Sequence, residues 1–249
     1  MKILVCVKRV PETGARISLT PDAQAVDDTY LGHAISPHEE CAVEEALRLA
    51  AAHGGSTTVL TLGPPAAAEQ LRNALAMGID AAVLLETDGS DWEPQATAAA
   101  IADAVRDGGY NLLLFGNESA DSGGYQVGIR VAYTLGLPVM TGAKGIEVAN
   151  GVATVRREAG GGWEILEAAL PAVITVREGI NLPRYPSLPG RLKAKKAEVV
   201  TSAPEARPGG LRKVRLSVPQ EASTPVVVLG EGAAAAPRVV EVLRAAGIT

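Results

Sequence analysis

Apolar positions in this chain fall into short unbroken runs, set apart by glycine-bearing polar breaks and by stretches with helical spacing. Residues 3–8, 57–62, 81–86 and 111–115 read as strands buried on both faces, because no polar alternation marks a wet side. Helices are predicted between them, over 36–54, 66–77 and 94–107. The first has the clearest start: Ser36 as N-cap, Pro37 at the first helical position and Glu39 three residues after the cap. It then carries Cys41, Ala42, Val43, Ala46, Leu47 and Ala50 to Gly54, with Glu44 and Arg48 paired at i, i+4. Gly78 closes the second helix. Strands alternating with helices predict an α/β fold, a doubly wound and mostly parallel sheet with right-handed crossovers. After Pro138 the pattern changes. Residues 152–157 and 163–170, joined through Gly160-Gly161-Gly162, read as an antiparallel edge hairpin, and 172–176 as one more buried strand.

The stretch from Leu112 to Gly128 carries the candidate chemistry. Its strand stops at a loop of glycines and small polar residues, Gly116-Asn117-Glu118-Ser119-Ala120-Asp121-Ser122-Gly123-Gly124-Tyr125-Gln126, before a helix marked by Val127, Val131 and Leu135. Gly116, Gly123 and Gly124 let backbone come close to a ligand, and Ser119, Asp121 and Ser122 are expected to cap the helix that follows. In an open parallel sheet such a loop lies at the strand carboxyl ends, so the pattern suits a phosphate-bearing small molecule. Ligand-free glycine and serine loops of this kind are also common, and the stretch alone leaves both readings open. No Gly-Lys-Ser/Thr follows the glycines, and the dinucleotide fingerprint spacing is absent. A nucleotide held without hydrolysis fits better than an ATPase.

Composition narrows the function. A formal charge of −5 argues against general nucleic-acid binding. Cys6 and Cys41 fall in a strand-like and a helix-like stretch, which suggests reduced, buried thiols and a cytoplasmic protein. The first apolar run is too short for a signal peptide, and no later run approaches membrane-spanning length. Aromatic residues are only 3% of the chain, so a large ring cofactor is expected to be held partly by another chain. No Ser-His-Asp order, paired carboxylates or metal spacing points to catalysis, and His38 reads as a surface histidine. Lys8 and Arg9, in the loop leaving the first strand, are either solvated charges or face a phosphate or an acidic partner.

Residues 177–196 form a second informative stretch. Pro183, Pro186 and Pro189 exclude helix and strand, giving an exposed, stiff loop in which Leu182, Tyr185 and Leu188 have little core to enter. Arg184, Arg191, Lys193, Lys195 and Lys196 make it basic in an acidic protein. It is either a solvated linker or a docking loop with an apolar anchor and a cationic rim. From Glu198 the chain is rich in Pro, Ala and Gly until a short helix at 237–246, a composition that is either disordered or laid along a partner.

Leu4-Val5-Cys6-Val7-Lys8-Arg9-Val10, Ala42-Val43-Glu44-Glu45-Ala46-Leu47, Ala74-Leu75-Ala76-Met77-Gly78, the 116–128 loop, Leu170-Pro171-Ala172-Val173, Asn181-Leu182-Pro183-Arg184-Tyr185, Leu188-Pro189 and Lys193-Ala194-Lys195-Lys196 follow one another in an order that resembles the β subunit of electron transfer flavoproteins. The resemblance implies an electron carrier rather than an enzyme: a heterodimer whose α subunit holds most of an FAD, with a structural AMP on the β chain. By position, the AMP contacts fall on Cys6, Ser36, Pro37, His38, Glu39, Leu62 and residues 116–127. Leu188 becomes the anchor that enters partners such as acyl-CoA or other flavin dehydrogenases, with Arg184, Tyr185, Lys193 and Lys196 around it. A membrane quinone reductase or other acceptor takes the electrons. Residues 1–189 would form the nucleotide-binding domain, with a docking loop at about 178–196 and a partner-embracing arm over 190–249. Two alternatives stand: an electron-bifurcating relative with a second FAD in the AMP site, and a stand-alone adenine-nucleotide-binding regulatory protein.

Overall fold

The computed structural model describes residues 1–207, 210–211, 213–219 and 226–248. Expectations for the C-terminal arm at 208–209, 212, 220–225 and 249 lie outside the described residues. The chain divides into two compact units, Met1–Arg215 and Leu216–Thr249.

In the first unit the elements run β1 (Lys2–Cys6), β2 (Val10–Pro11), β3 (His33–Ala34), α1 (Pro37–His53), β4 (Ser56–Gly63), a 3-10 turn (Pro65–Ala67) opening into α2 (Ala68–Met77), β5 (Ala81–Glu86), α3 (Pro94–Val105) and β6 (Leu112–Gly116). They continue with α4 (Val127–Leu135), β7 (Val139–Ala149), β8 (Val152–Ala159), β9 (Gly162–Ala169), β10 (Ala172–Val176), α5 (Leu188–Lys196) and β11 (Val200–Ser202). The second unit holds a 3-10 turn (Gly232–Ala235) and α6 (Ala236–Ala245).

Nine strands form one sheet in the order β11-β5-β4-β1-β6-β10-β7-β8-β9, parallel from β11 to β7 and antiparallel through β8 and β9. The α/β, doubly wound reading is therefore the observed fold, and the edge hairpin is present. Successive residues of β1 explain why its run is unbroken: Ile3 and Val5 enter the core under α1 and α2, whereas Leu4 and Cys6 enter the core under α3 and α4. From β1 the chain winds outward to β4 and β5, then returns to β6 on the other side of β1. That reversal makes the carboxyl ends of β1 and β6 the switch point, where sheets of this kind open a crevice for ligands, and Cys6 lies opposite Phe115 there.

Three elements depart from the sequence expectation. Strand β7 is eleven residues long and was not foreseen, because Gly142 in a left-handed conformation (φ 74°) and a bulge between Ala143 and Gly145 break its alternation. The 177–196 stretch is not loop throughout: 182–187 hold neither helix nor strand, but Pro189 sits in the first turn of α5, where its missing N–H is harmless, and Ser187 caps it by accepting from the Gly190 N–H at 3.1 Å. Residues 190–202, assigned from sequence to a C-terminal arm, belong to the first unit. Ala194 is buried, Arg72 of α2 donates to the Ala194 carbonyl at 2.7 Å, and β11 extends the sheet beside β5.

Candidate functional site

The crevice is built from the exits of β1 and β6 and the start of α1. Glu39, in the first turn of α1, is buried, and its carboxylate accepts from the Lys8 N–H at 3.0 Å and the Ser36 N–H at 3.4 Å. Burial pushes its pKa up to about 7 against the partial relief of those hydrogen bonds. Gly116 makes room for it: a Cβ there would stand 2.6 Å from Glu39 Cγ and 3.2 Å from Glu39 N. The Cys6 thiol is buried and its pKa is raised, first by burial and then by the Glu39 charge. Ser36 is 1% exposed and stands in a capping box with Glu39, while the buried Nε of Arg9 has no hydrogen-bond partner.

Beyond Gly116 the loop is pinned at its root and open along its length. The Asn117 N–H donates to the Val176 carbonyl at 2.8 Å, and Asn117 Oδ1 accepts from the Thr175 hydroxyl at 2.8 Å. Lys8 Nζ lies 2.5 Å from Asp121 Oδ2, so the β1 exit and the loop close on each other. Burial would raise the Asp121 pKa, but Lys8 outweighs it and holds the carboxyl below its ordinary value. Gly123 and Tyr125 both take left-handed conformations (φ 54° each). Gly128 lets α4 lie directly on the sheet, since a Cβ would stand 3.0 Å from Phe115 Cγ and 3.1 Å from Thr175 Cγ2.

Most of the sequence-predicted residues converge here. Cys6, Ser36, Glu39, Gly116 and Asp121 are joined by the contacts above, and Pro37 is exposed beside them. Leu62 and Val127 pack on the α3–α4 core at the same end of the sheet. Two expectations need correction. Ser119, Asp121 and Ser122 do not cap α4: Gln126 is its N-cap without a side-chain bond, the two serine hydroxyls pair with each other at 2.9 Å, and Asp121 is taken by Lys8. The first-turn N–H groups of α4 therefore carry no side-chain cap. His38 is not a surface histidine; its Nδ1 accepts from the Glu178 N–H at 3.2 Å and its Nε2 lies 3.3 Å from Glu118 Oε1. Lys8 faces a carboxylate within its own chain.

Sequence reasoning missed an adjoining cleft of about 410 Å³. Asn117, Glu118 and Tyr125 line one side, and Thr141, Arg157, Glu158, Thr175 and Arg177 the other. Its far wall comes from β7, β8 and β10, which the sequence marks only as architecture.

In the second candidate region, Leu182, Tyr185 and Leu188 are 84%, 95% and 72% exposed, as their surroundings of proline predicted. Lys193, Lys195 and Lys196 lie in the last turn of α5. Arg184 is half-exposed but engaged: its Nε and Nη2 reach the two oxygens of Glu44 at 2.7 and 3.0 Å.

The fold is that of a doubly wound α/β protein whose switch point lies between β1 and β6, with Gly116 and the start of α1 beside it. Among the described residues, no helix is long and apolar enough to cross a membrane. Residues 25–206 match the family model described as electron transfer flavoprotein domain. The chain is 38% identical over 220 residues to an electron transfer flavoprotein subunit beta of Syntrophomonas wolfei, covering 88% of this chain and 86% of that one. It is 36% identical to the protein of that name from Bacillus subtilis, covering 79% and 76%, and 42% identical to the one from Mycobacterium tuberculosis, covering 79% and 77%. The chain belongs to the electron transfer flavoprotein family, among its β subunits. Membership implies an electron-transfer role, association with a flavin and an α-subunit partner.

Proposed function

We propose that this chain keeps an AMP in the crevice beyond β1 and β6, helps an α subunit hold FAD, and docks flavin dehydrogenases so that their electrons pass through that FAD to a quinone reductase or other acceptor. The glycine-bearing loop at the switch point carries the reading, because Gly116 brings its backbone against the start of α1 and the first turn of α4 that follows it has no side-chain cap, leaving N–H groups for a resident ligand. The residues fit an adenylate. Gly116 brings backbone close, the uncapped first turn of α4 offers N–H groups to a phosphate, and two of the nearby carboxylates are engaged within the chain. Asp121 is neutralised by Lys8, and Glu39, with its pKa near 7, carries only part of a charge at neutral pH and is tied to N–H groups. With no lysine and hydroxyl placed as in a P-loop, the nucleotide is retained and not turned over.

FAD supplies the electron-accepting ring when the heterodimer is assembled; the β chain contributes a wall to its site and the docking surface. Leu182, Tyr185 and Leu188 offer an apolar anchor, and Arg191, Lys193, Lys195 and Lys196 a cationic rim suited to an acidic partner surface. The test is to denature the purified α/β pair and quantify what is released. One FAD and one AMP per pair are expected. Two flavins without AMP would replace the adenylate by a second FAD, and neither molecule would overturn the assignment.

A further inference from the structure

The docking loop is held by a buried carboxylate on α1. Glu44 is 3% exposed and accepts four hydrogen bonds: from Arg184 Nε (2.7 Å), Arg184 Nη2 (3.0 Å), the Arg184 N–H (3.1 Å) and Arg48 Nε (2.8 Å). One turn away, Asn181 Nδ2 donates to the Cys41 carbonyl at 3.0 Å and to Glu45 Oε2 at 2.9 Å. Among the described residues, the hydrogen bonds of the 182–186 stretch all run from Arg184 to Glu44. Leu182 and Tyr185 flank that point, and Pro183 and Pro186 have no N–H to give. Between the Asn181 bonds at one end and the Ser187 cap at the other, the clamp is the hydrogen-bonded hold on this stretch among the described residues.

We propose that Glu44 is a positioning residue for partner docking: by gripping Arg184 in a bidentate pair it presents Leu182 and Tyr185 in one conformation beside Leu188, which α5 holds, and the half-exposed Arg184 serves as a brace rather than as a free cation facing the partner. The proposal rests on the docking role given to this loop above. An ordered anchor spares the partner the entropy of immobilising it, so the brace acts on association and not on electron transfer within the bound complex. The two oxygens of Glu44 match the guanidinium fork, which a lysine ammonium cannot reproduce.

The experiment uses the assembled flavin-loaded α/β pair with an acyl-CoA dehydrogenase as electron donor. Glu44→Gln and Arg184→Lys are each expected to raise the apparent KM for the carrier roughly tenfold with kcat unchanged, the size expected from freeing one or two interface side chains. Both should speed hydrogen exchange over residues 180–187 in the absence of donor, with flavin content unaltered. Arg184→Lys keeps the charge, so a wild-type KM and wild-type exchange in that variant would overturn the brace. So would additive effects in the Glu44→Gln, Arg184→Lys double variant, because a residue acting only through Glu44 has nothing left to lose once Glu44 is gone. Leu188→Ala separates the two readings: an unchanged KM there rejects the docking role, whereas the exchange rates of 180–187 test the brace by themselves.

Discussion

Glu39 and Glu44 lie on the same helix and respond to pH in opposite senses. Glu39 has a folded pKa of about 7 against an ordinary 4.5, so the folded chain binds its proton more tightly than the unfolded chain does. Its stabilisation is complete below about pH 4.5 and is lost as pH rises through about 7. Glu39→Gln fixes the neutral form, and thermal unfolding from about pH 5 to 8 should show a flatter profile, with up to about 3 kcal/mol of pH dependence removed. Equal slopes in the two proteins would contradict this. For Glu44 burial acts upward, but the bonds from Arg184 and Arg48 outweigh it and hold the pKa at about 2. Its stabilisation is present above about pH 4.5 and lost as pH falls through about 2. Gly116→Ala would drive a methyl into Glu39 and is expected to cost about 1–3 kcal/mol in denaturant unfolding, whereas an unchanged midpoint would mean that the carboxylate can move aside. The helix start at Ser36, Pro37 and Glu39 was legible because capping depends on local spacing. The burial of Glu39 was not, because it depends on Gly116, a neighbour in space and far along the chain.

At the scale of elements, strands and helices were legible wherever one period held throughout. All four early strands and the helices between them stand close to their expected bounds. What failed was local grammar read too broadly: three prolines suggested a loop across 177–196, although a proline in a first turn is compatible with helix, as α5 shows. The helix depends on its cap, so Ser187→Ala should cost about 1 kcal/mol of local stability. Hydrogen exchange should quicken in α5 and stay unchanged in α1; a uniform change would mean that the whole unit had been weakened. The second case is α4, which meets the sheet through Gly128. Gly128→Ala would lift the helix from Phe115 and Thr175 and carry the loop before it away from Gly116, so loss of retained adenylate should accompany the fall in Tm. A variant with lowered Tm and full adenylate would uncouple helix seating from the site.

For the whole molecule, the low aromatic content pointed to a second chain, and family resemblance rather than periodicity said which. The adjoining cleft between the 117–125 loop and β7, β8 and β10 was illegible because strands distant in sequence assemble it. A β subunit that only walls a flavin site should bind no flavin when expressed without its α subunit; a flavin-bearing monomer would contradict that division of labour. The central claim is a matter of place: an adenylate resting on backbone amides at the switch point. Hydrogen exchange on the nucleotide-stripped α/β pair, with and without added AMP, tests it most directly. Protection confined to residues 36–39 and 117–128 is predicted. Protection absent there, or found instead around Thr141, Arg157 and Arg177, would contradict it.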